Sequence, residues 1–310
     1  MAEGAFRGQG DTKTPLIASA WAGIINLILD PLMMFPMKMG MMGAAAATAI
    51  SQFAAAGVFG WRLFRRKMLP QKDDISTVSA PKIIKAIIGA NLAMLTKQGS
   101  LLVFYTYATA LAARMGHAHV AAHQVALSLF WLVTYWLDSA SVSGQVLMSQ
   151  SLSDTPKARS LTRYMAKYAA IQGIGIGAFV ASIAKVVPAV FTKDPAVRSL
   201  LSQIMPHIAI QQVLISLCLV LEGLAIGGNQ FRFMAGGTIA ATLVGMLQLS
   251  RAGSAVAIWS NAVTAFFSAR LVFGLVGTLR VHLNLRRNNN EAPIFEDVSF
   301  LASSNATAST

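Results

Sequence analysis

Apolar positions along this chain come in long unbroken runs, with little of the strict alternation of a half-buried strand. A run of about 17 to 25 residues or more crosses a hydrocarbon layer of about 30 Å as a helix. Eight such runs lie near 15–36, 41–64, 83–113, 119–150, 161–190, 199–226, 233–250 and 253–279. They predict an all-α polytopic membrane protein of about eight transmembrane helices. The third to fifth runs exceed a bilayer's thickness, which predicts tilt, kinks or projection into water. Pro15 suits a first helical turn, whereas Pro31, Pro36, Pro188 and Pro206 are expected to kink or end helices.

Composition strengthens this pattern. Apolar residues make up 55% of the 310 and charged residues only 12%, and the mean hydropathy is +0.57. A soluble domain of this length needs about twice that charge on its surface. The formal charge of +13 raises the possibility of a nucleic-acid partner. The basic residues, however, cluster at the ends of apolar runs without an aromatic and basic surface between them, so no nucleic acid is expected and the lipid bilayer is the surrounding partner. Oligomeric state leaves no mark on the sequence. The single cysteine, Cys218, lies inside an apolar run and implies no disulfide framework. The first residues, Met1 to Gly4, show no basic region followed by a short apolar core, as a secretory signal would.

Lys and Arg are distributed unevenly on alternate sides of the predicted spans. Five lie on one side, namely Lys38, Arg114, Lys193, Arg198 and Arg251. Seventeen lie on the other, among them Arg62, Arg65, Arg66, Arg159, Arg163, Arg286 and Arg287. The positive-inside rule makes the richer side cytoplasmic and places both termini there. The predicted organisation is an amino-terminal pair of helices over 1–66, a cytoplasmic linker over 67–82, a six-helix lobe over 83–285 and a disordered cytoplasmic tail over 286–310. The Asn305-Ala306-Thr307 sequon falls in that tail and is expected to stay unglycosylated.

An internal repeat organises the chain further. Glu3-Gly4 matches Glu222-Gly223, and after a short gap Phe53, Phe59, Gly60 and Arg66 match Phe267, Phe273, Gly274 and Arg280. Each copy covers a helix pair entering from the same side, which defines a parallel repeat. Four helices precede the second pair and none precedes the first, which implies a six-plus-six architecture whose first four helices are absent from this chain.

Ionisable groups inside spanning helices are costly and are expected to pair or to line a polar cavity. Lys97 lies 19 residues before the turn at Gly116 and Asp138 lies 22 after it, a depth difference of only about 4.5 Å. An ion pair between them is predicted. Gln124, Ser128, Trp131, Tyr135, Asp138, Val142 and Gln145 form a mostly polar and aromatic stripe along one helix face. Such a stripe is either a helix-packing seam or the wall of a cavity for a flat organic ligand. Gln211 and Glu222, eleven residues apart, share a face of the sixth helix and are candidates for an opposing wall; Glu222 reads equally as a solvated helix-end carboxylate. Asn26 and Asp30 suit capping and packing more than a small polar site, and Arg7, Asp11 and Lys13 set topology or bridge neighbouring loops. Lys185 and Arg270 are isolated basic groups that snorkel or pair locally. His117, His119 and His123 are close in sequence, but no acid nearby completes a zinc site, so neither a metal nor enzymatic activity is expected.

Several stretches carry a family resemblance. GAFRGQGDTKTPL with the following NLILDPLMMF resembles the end of the fourth helix and the fifth helix of the multidrug and toxic compound extrusion (MATE) family, in its plant and bacterial DNA-damage-inducible-like branch. VAAHQVALSLFWLVTYWLDSASVSGQVLMSQ resembles the family's eighth helix, and VFTKDPAV its short outer loop before the tenth. The resemblance runs from residue 3 to about 280. It implies a twelve-helix, two-lobed antiporter with a central cavity, of which this chain holds the last two helices of the amino-terminal lobe and all six of the other. The implied function is export of small organic molecules or xenobiotics, coupled to H+ or Na+ and without another cofactor. The charged, polar and aromatic positions read above, Lys97, Asp138, Glu222, Gln124, Trp131, Tyr135 and Gln211, are the expected substrate and ion pathway. A lipid-linked precursor flippase shares the two-lobe logic, and a shortened chain that no longer transports is a further reading. Protonation of Asp138, releasing Lys97, is the expected trigger between inward and outward states. The family also places coupling carboxylates on its first helix, which this chain lacks. Lys97 suits an organic anion and Asp138 an organic cation, so the substrate stays open.

Overall fold

The structure is a computed structural model that describes residues 13–65 and 80–287, with Phe6 and Asp11 beside them. The predicted linker, apart from its last three residues, and the tail beyond Arg287 lie outside the described residues. Helices account for nearly all of what is described, with no strand among the described residues. The chain divides into two compact units, Met1–Pro81 and Lys82–Thr310.

The first unit is a hairpin of α1 (Lys13–Met34) and α2 (Gly40–Arg65). Asp11 starts α1, accepting backbone N–H bonds from Lys13 and Thr14, both at 3.0 Å, and the Thr14 hydroxyl at 2.6 Å. A carboxylate here satisfies donors that a first turn otherwise leaves without partners. Pro31 is accommodated inside α1. The turn that follows reverses the chain through Lys38 (φ 55°) and Gly40 (φ 53°). Arg62, near the end of α2, donates to Thr14 Oγ1 at 3.1 Å, which closes the far end of the hairpin.

The second unit contains α3 (Ala80–Arg114), α4 (His117–Ser149), α5 (Thr155–Ile183), a short α6 (Val187–Phe191), α7 (Pro195–Gly227), α8 (Phe231–Leu249) and α9 (Ala255–Arg287). Asp154 and Asp194 cap α5 and α7 with a proline in the first turn of each, the arrangement that Asp-Thr-Pro and Asp-Pro announce in the sequence. Pro206 does not break α7, which runs 33 residues around it.

Seven helices are long and apolar enough to cross a membrane by length and composition. The eighth expected span forms as α8, 19 residues long, but Arg232 and its glycines keep its hydropathy below that of the seven. The long runs become helices of 35, 33 and 29 residues, longer than a bilayer requires. The fifth run is divided, because the chain turns after Ile183 and restarts as α6.

Helix α7 is the axis of the second unit. It is apolar on every side, and 72% of its most hydrophobic stretch is buried, as expected of a helix surrounded by others. It packs on α4, α5 and α9. Glycines set these contacts: a Cβ at Gly223 would strike the Ser141 carbonyl and one at Gly227 the Gln145 carbonyl, so α4 and α7 cross almost backbone to backbone.

Helix α9 contains a wide turn, with π-type geometry over Ile258–Val263. Such a turn disturbs the regular bonding ladder and frees carbonyl groups. Gln211 on α7 compensates, donating from Nε2 to the Trp259 carbonyl at 2.6 Å and to Thr264 Oγ1 at 2.7 Å.

Two substitutions test this packing. Gly227→Leu is expected to lower stability by about 1–3 kcal/mol through overpacking, whereas Gly236→Ala, with open space at its Cβ, leaves it nearly unchanged; thermal unfolding in detergent reads both. Gln211→Leu removes the amide that satisfies the wide turn and is expected to cost about 1–3 kcal/mol, with hydrogen exchange accelerated in Ile258–Thr264.

Candidate functional site

Among the described residues, charge in the helical interior is concentrated in a triad brought together by three helices. Glu222 on α7 is 1% exposed and Arg270 on α9 is 3% exposed. Arg270 donates from Nε to Glu222 Oε1 and from Nη2 to Oε2, each at 2.8 Å. This two-bond fork is the strongest geometry available to a guanidinium and a carboxylate. Lys97 on α3 adds a second cation, its Nζ 2.9 Å from Glu222 Oε2.

The three groups are held differently. The Arg270 guanidinium sits over two aromatic rings, 5.2 Å from the Phe266 centroid and 4.9 Å from that of Phe267. Phe104 stacks on Phe266 at 4.2 Å and fixes that ring in turn. Two hydrogen bonds and two ring faces make Arg270 an anchored partner. Lys97 has the single ionic contact, and its side chain keeps 13% of its exposure. Cys218, one turn before Glu222 on α7, directs its thiol toward Glu222 Oε1 at 3.8 Å.

This arrangement corrects the sequence reading at several residues. The acceptor for Lys97 is Glu222 and not Asp138, because α7 brings its carboxylate within 2.9 Å of the lysine. Equal depth on α3 and α4 is a one-dimensional argument that omits this third helix. Asp138 itself is half-buried on α4. Glu222 is no solvated helix-end carboxylate, since α8 and α9 cover the end of α7 on which it lies. Arg270, which the sequence alone presents as a snorkelling or locally paired residue, is the carboxylate's closest partner. Its signal is the cost of an arginine in the middle of an apolar run, with Glu222 as the other charge needing a partner.

The remaining candidates separate. Gln211 is 4% exposed and its amide is committed to α9, so it supports the wide turn and does not join Glu222 in a wall opposite the α4 stripe. Helix α4 buries Ala126, Phe130, Val133, Leu137, Gly144 and Met148. Its polar stripe lies on the other face: Gln124, Ser128 and Gln145 are exposed, Trp131 and Val142 are half-buried, and Tyr135 is 71% exposed. Within this unit the stripe is therefore not a packing seam. Trp131 instead joins Tyr105, whose ring centroid is 5.1 Å away, in a groove of about 630 Å³ between α3 and α4. Gln98, Thr106 and Thr109 give that groove polar edges. Tyr105 lies eight residues beyond Lys97 on the same face of α3, about 12 Å along the axis, so the groove and the triad are neighbours.

His119 and His123 make structural contacts. His119 accepts from the Ala255 N–H at 3.2 Å at the start of α9, and His123 lies 3.2 Å from the Thr109 hydroxyl. In the first unit, Asn26 donates to Asp30 and to Thr48, both at 3.4 Å, which fits the expected packing role.

Similarity to known proteins agrees with this architecture. The sequence pattern of the MatE family matches residues 97–248. Protein DETOXIFICATION 43 of Arabidopsis thaliana is 30% identical over 280 residues, covering 88% of this chain and 52% of that protein. Protein DETOXIFICATION 44, chloroplastic, of the same plant is 30% identical over 281 residues, with the same coverage. The chain thus spans about half the length of these curated relatives. The fold is that of the crystal structure of the Vibrio cholerae MATE transporter VcmN in the bent form, with a TM-score of 0.72 and 18% identity over 93% of this chain and 66% of that one. With matching sequence, fold and span pattern, this chain belongs to the MatE, or multidrug and toxic compound extrusion, family.

Proposed function

We propose that this chain carries the greater part of a proton- or sodium-coupled antiporter that exports small organic molecules by alternating access, with Glu222 as its coupling carboxylate. The observation that carries this reading is the buried Lys97–Glu222–Arg270 triad inside spanning helices. One carboxylate shared by two cations is a competitive site. A proton or Na+ arriving at Oε2 takes the place of Lys97, while Arg270 stays bound through its fork and its aromatic floor. The released ammonium then needs a new polar environment, which biases the helix arrangement toward one of two states. Coupling requires such a differential interaction, and the unequal tethering of the two cations supplies it.

The substrate side is the aromatic groove of Tyr105 and Trp131. Flat rings bind organic molecules of varied shape through dispersion and ring stacking, and a few polar edges orient them. Names of relatives agree with this reading, among them a probable multidrug resistance protein NorM from Thermotoga maritima, 39% identical over 66 residues.

Transport by the whole chain in proteoliposomes tests the reading, with a fluorescent organic cation, an organic acid and a lipid-linked sugar supplied in parallel under a pH or Na+ gradient. Gradient-driven movement of at least one small organic probe is expected, with Glu222→Gln abolishing it and Asp138→Asn preserving it. Movement of the lipid-linked sugar alone would make the protein a flippase, and full coupling in Glu222→Gln would remove this carboxylate from the mechanism. Stability gives an independent check. Glu222→Gln strands the buried Arg270 and the half-buried Lys97 and is expected to cost about 3–5 kcal/mol. Lys97→Met removes one contact along with the burial cost of its charge and is expected to cost under about 1.5 kcal/mol. Thermal unfolding in a neutral detergent compares them.

A further inference from the structure

A second groove, of about 640 Å³, lies between α5, α7 and α9, on a different part of the lobe from the aromatic groove. Its composition is divided along its length. Leu217 and Leu221 of α7 form its floor, and Leu271, Leu275, Leu279 and Leu283 descend one face of α9 at intervals of four. At one end the leucines give way to Arg159 and Arg163 of α5 and Arg286 of α9, with Thr162 and His282 between them. Thr162 and His282 are joined, the hydroxyl 3.0 Å from Nε2. The other ring nitrogen, Nδ1, is buried without a hydrogen-bond partner among the described residues.

Among the described residues this arginine cluster has no counter-charge paired with it. None of Arg159, Arg163 and Arg286 is in an ion pair among the described residues. Arg159 and Arg163 are one helical turn apart, as are His282 and Arg286, so both helices direct a basic edge to the same end of the groove. That end belongs to the side of the helices where Lys and Arg are in excess. By the positive-inside rule this is the cytoplasmic leaflet, which holds anionic lipids.

The dimensions agree with one leaflet. Leu271 and Arg286 are 15 residues apart, about 22 Å along a helix, close to half of a bilayer of about 40–45 Å including its headgroups. Leu275, Leu279 and Leu283 are 46%, 60% and 61% exposed, as side chains facing hydrocarbon are.

We propose that this groove is a binding site for an anionic phospholipid, with its phosphate held by Arg159, Arg163 and Arg286 and an acyl chain lying along the α9 leucines. A soluble phosphate compound satisfies only the arginine end and leaves the leucine channel unused. A zwitterionic lipid fills the channel but brings a cationic group to a cluster that is already positive. An anionic lipid satisfies both. Such a lipid links α5 to α9 across α7, and α9 carries Arg270, so occupancy of the site bears on the helix that anchors the triad.

Native mass spectrometry of the whole chain, titrated in detergent with phosphatidylglycerol or phosphatidylcholine, tests the assignment. Wild type is expected to retain phosphatidylglycerol about tenfold more tightly than phosphatidylcholine, and the Arg163→Gln, Arg286→Gln double substitution to lose that preference. Arg114→Gln with Arg251→Gln, at the opposite end of the helices, is expected to keep it. Leu279→Trp narrows the channel and is expected to weaken phosphatidylglycerol while leaving glycerol phosphate unaffected. Unfolding temperatures without lipid identify any variant that is merely misfolded, and Leu279→Trp then carries the test in place of a double substitution that does not fold. Equal retention of the two lipids by wild type, or an undiminished preference in a folded double variant, would overturn the proposal. Binding of glycerol phosphate as tight as that of phosphatidylglycerol would do so as well, by making the site one for a soluble anion.

Discussion

A carboxylate taken out of water among apolar helices must be compensated, and much of the second unit is arranged around that requirement at Glu222. Arg270 answers it with a two-bond fork from α9 and Lys97 with a single contact from α3. Each of these charges is tolerable only in the presence of the others, so the triad fixes which three helices meet. Gly223, the next residue along α7, removes the side chain that would hold α4 away. Electrostatics and close packing are thus set by two successive residues on the same helix.

The support behind the triad is aromatic and irregular. Phe266 and Phe267 form a floor for the guanidinium, and Phe104, Tyr105 and Phe130 surround that floor. One turn earlier on α9 lies the wide turn over Ile258–Val263, whose buried Trp259 carbonyl accepts from Gln211. Irregular backbone in a spanning helix persists only where a neighbour completes its hydrogen bonding. The result is an anchored arginine and a less constrained lysine around one carboxylate, the asymmetry on which the proposed coupling depends.

Outside this interior, the unit presents faces of different chemistry. The α4 stripe carries Tyr135, Gln124 and Ser128 outward and leads to the groove of Tyr105 and Trp131. The face formed by α5, α7 and α9 carries leucines ending in arginines. The first suits flat organic molecules and the second an anionic lipid, because one combines rings with neutral polar groups and the other a hydrocarbon channel with a cationic end.

The helical class, the membrane setting and most helix positions are legible in the sequence, because hydrocarbon thickness imposes a length on every apolar run and Asp-Pro pairs mark helix starts. The family is legible as well, in motifs such as GAFRGQGDTKTPL and VFTKDPAV. Lys97 and Glu222 also stand out, since charge within an apolar run is rare enough to be conspicuous. Their partners are not legible. Spacing measures depth along a helix but not the direction it faces among its neighbours, so it matches Lys97 to Asp138 at equal depth and leaves Arg270 to snorkel. Gln211 points the same way as Glu222 on a helical wheel, yet the wide turn in α9, which no periodicity announces, claims its amide. Pairing, burial and the division between the grooves depend on which helix faces stand opposite one another, and only the packed tertiary structure decides that.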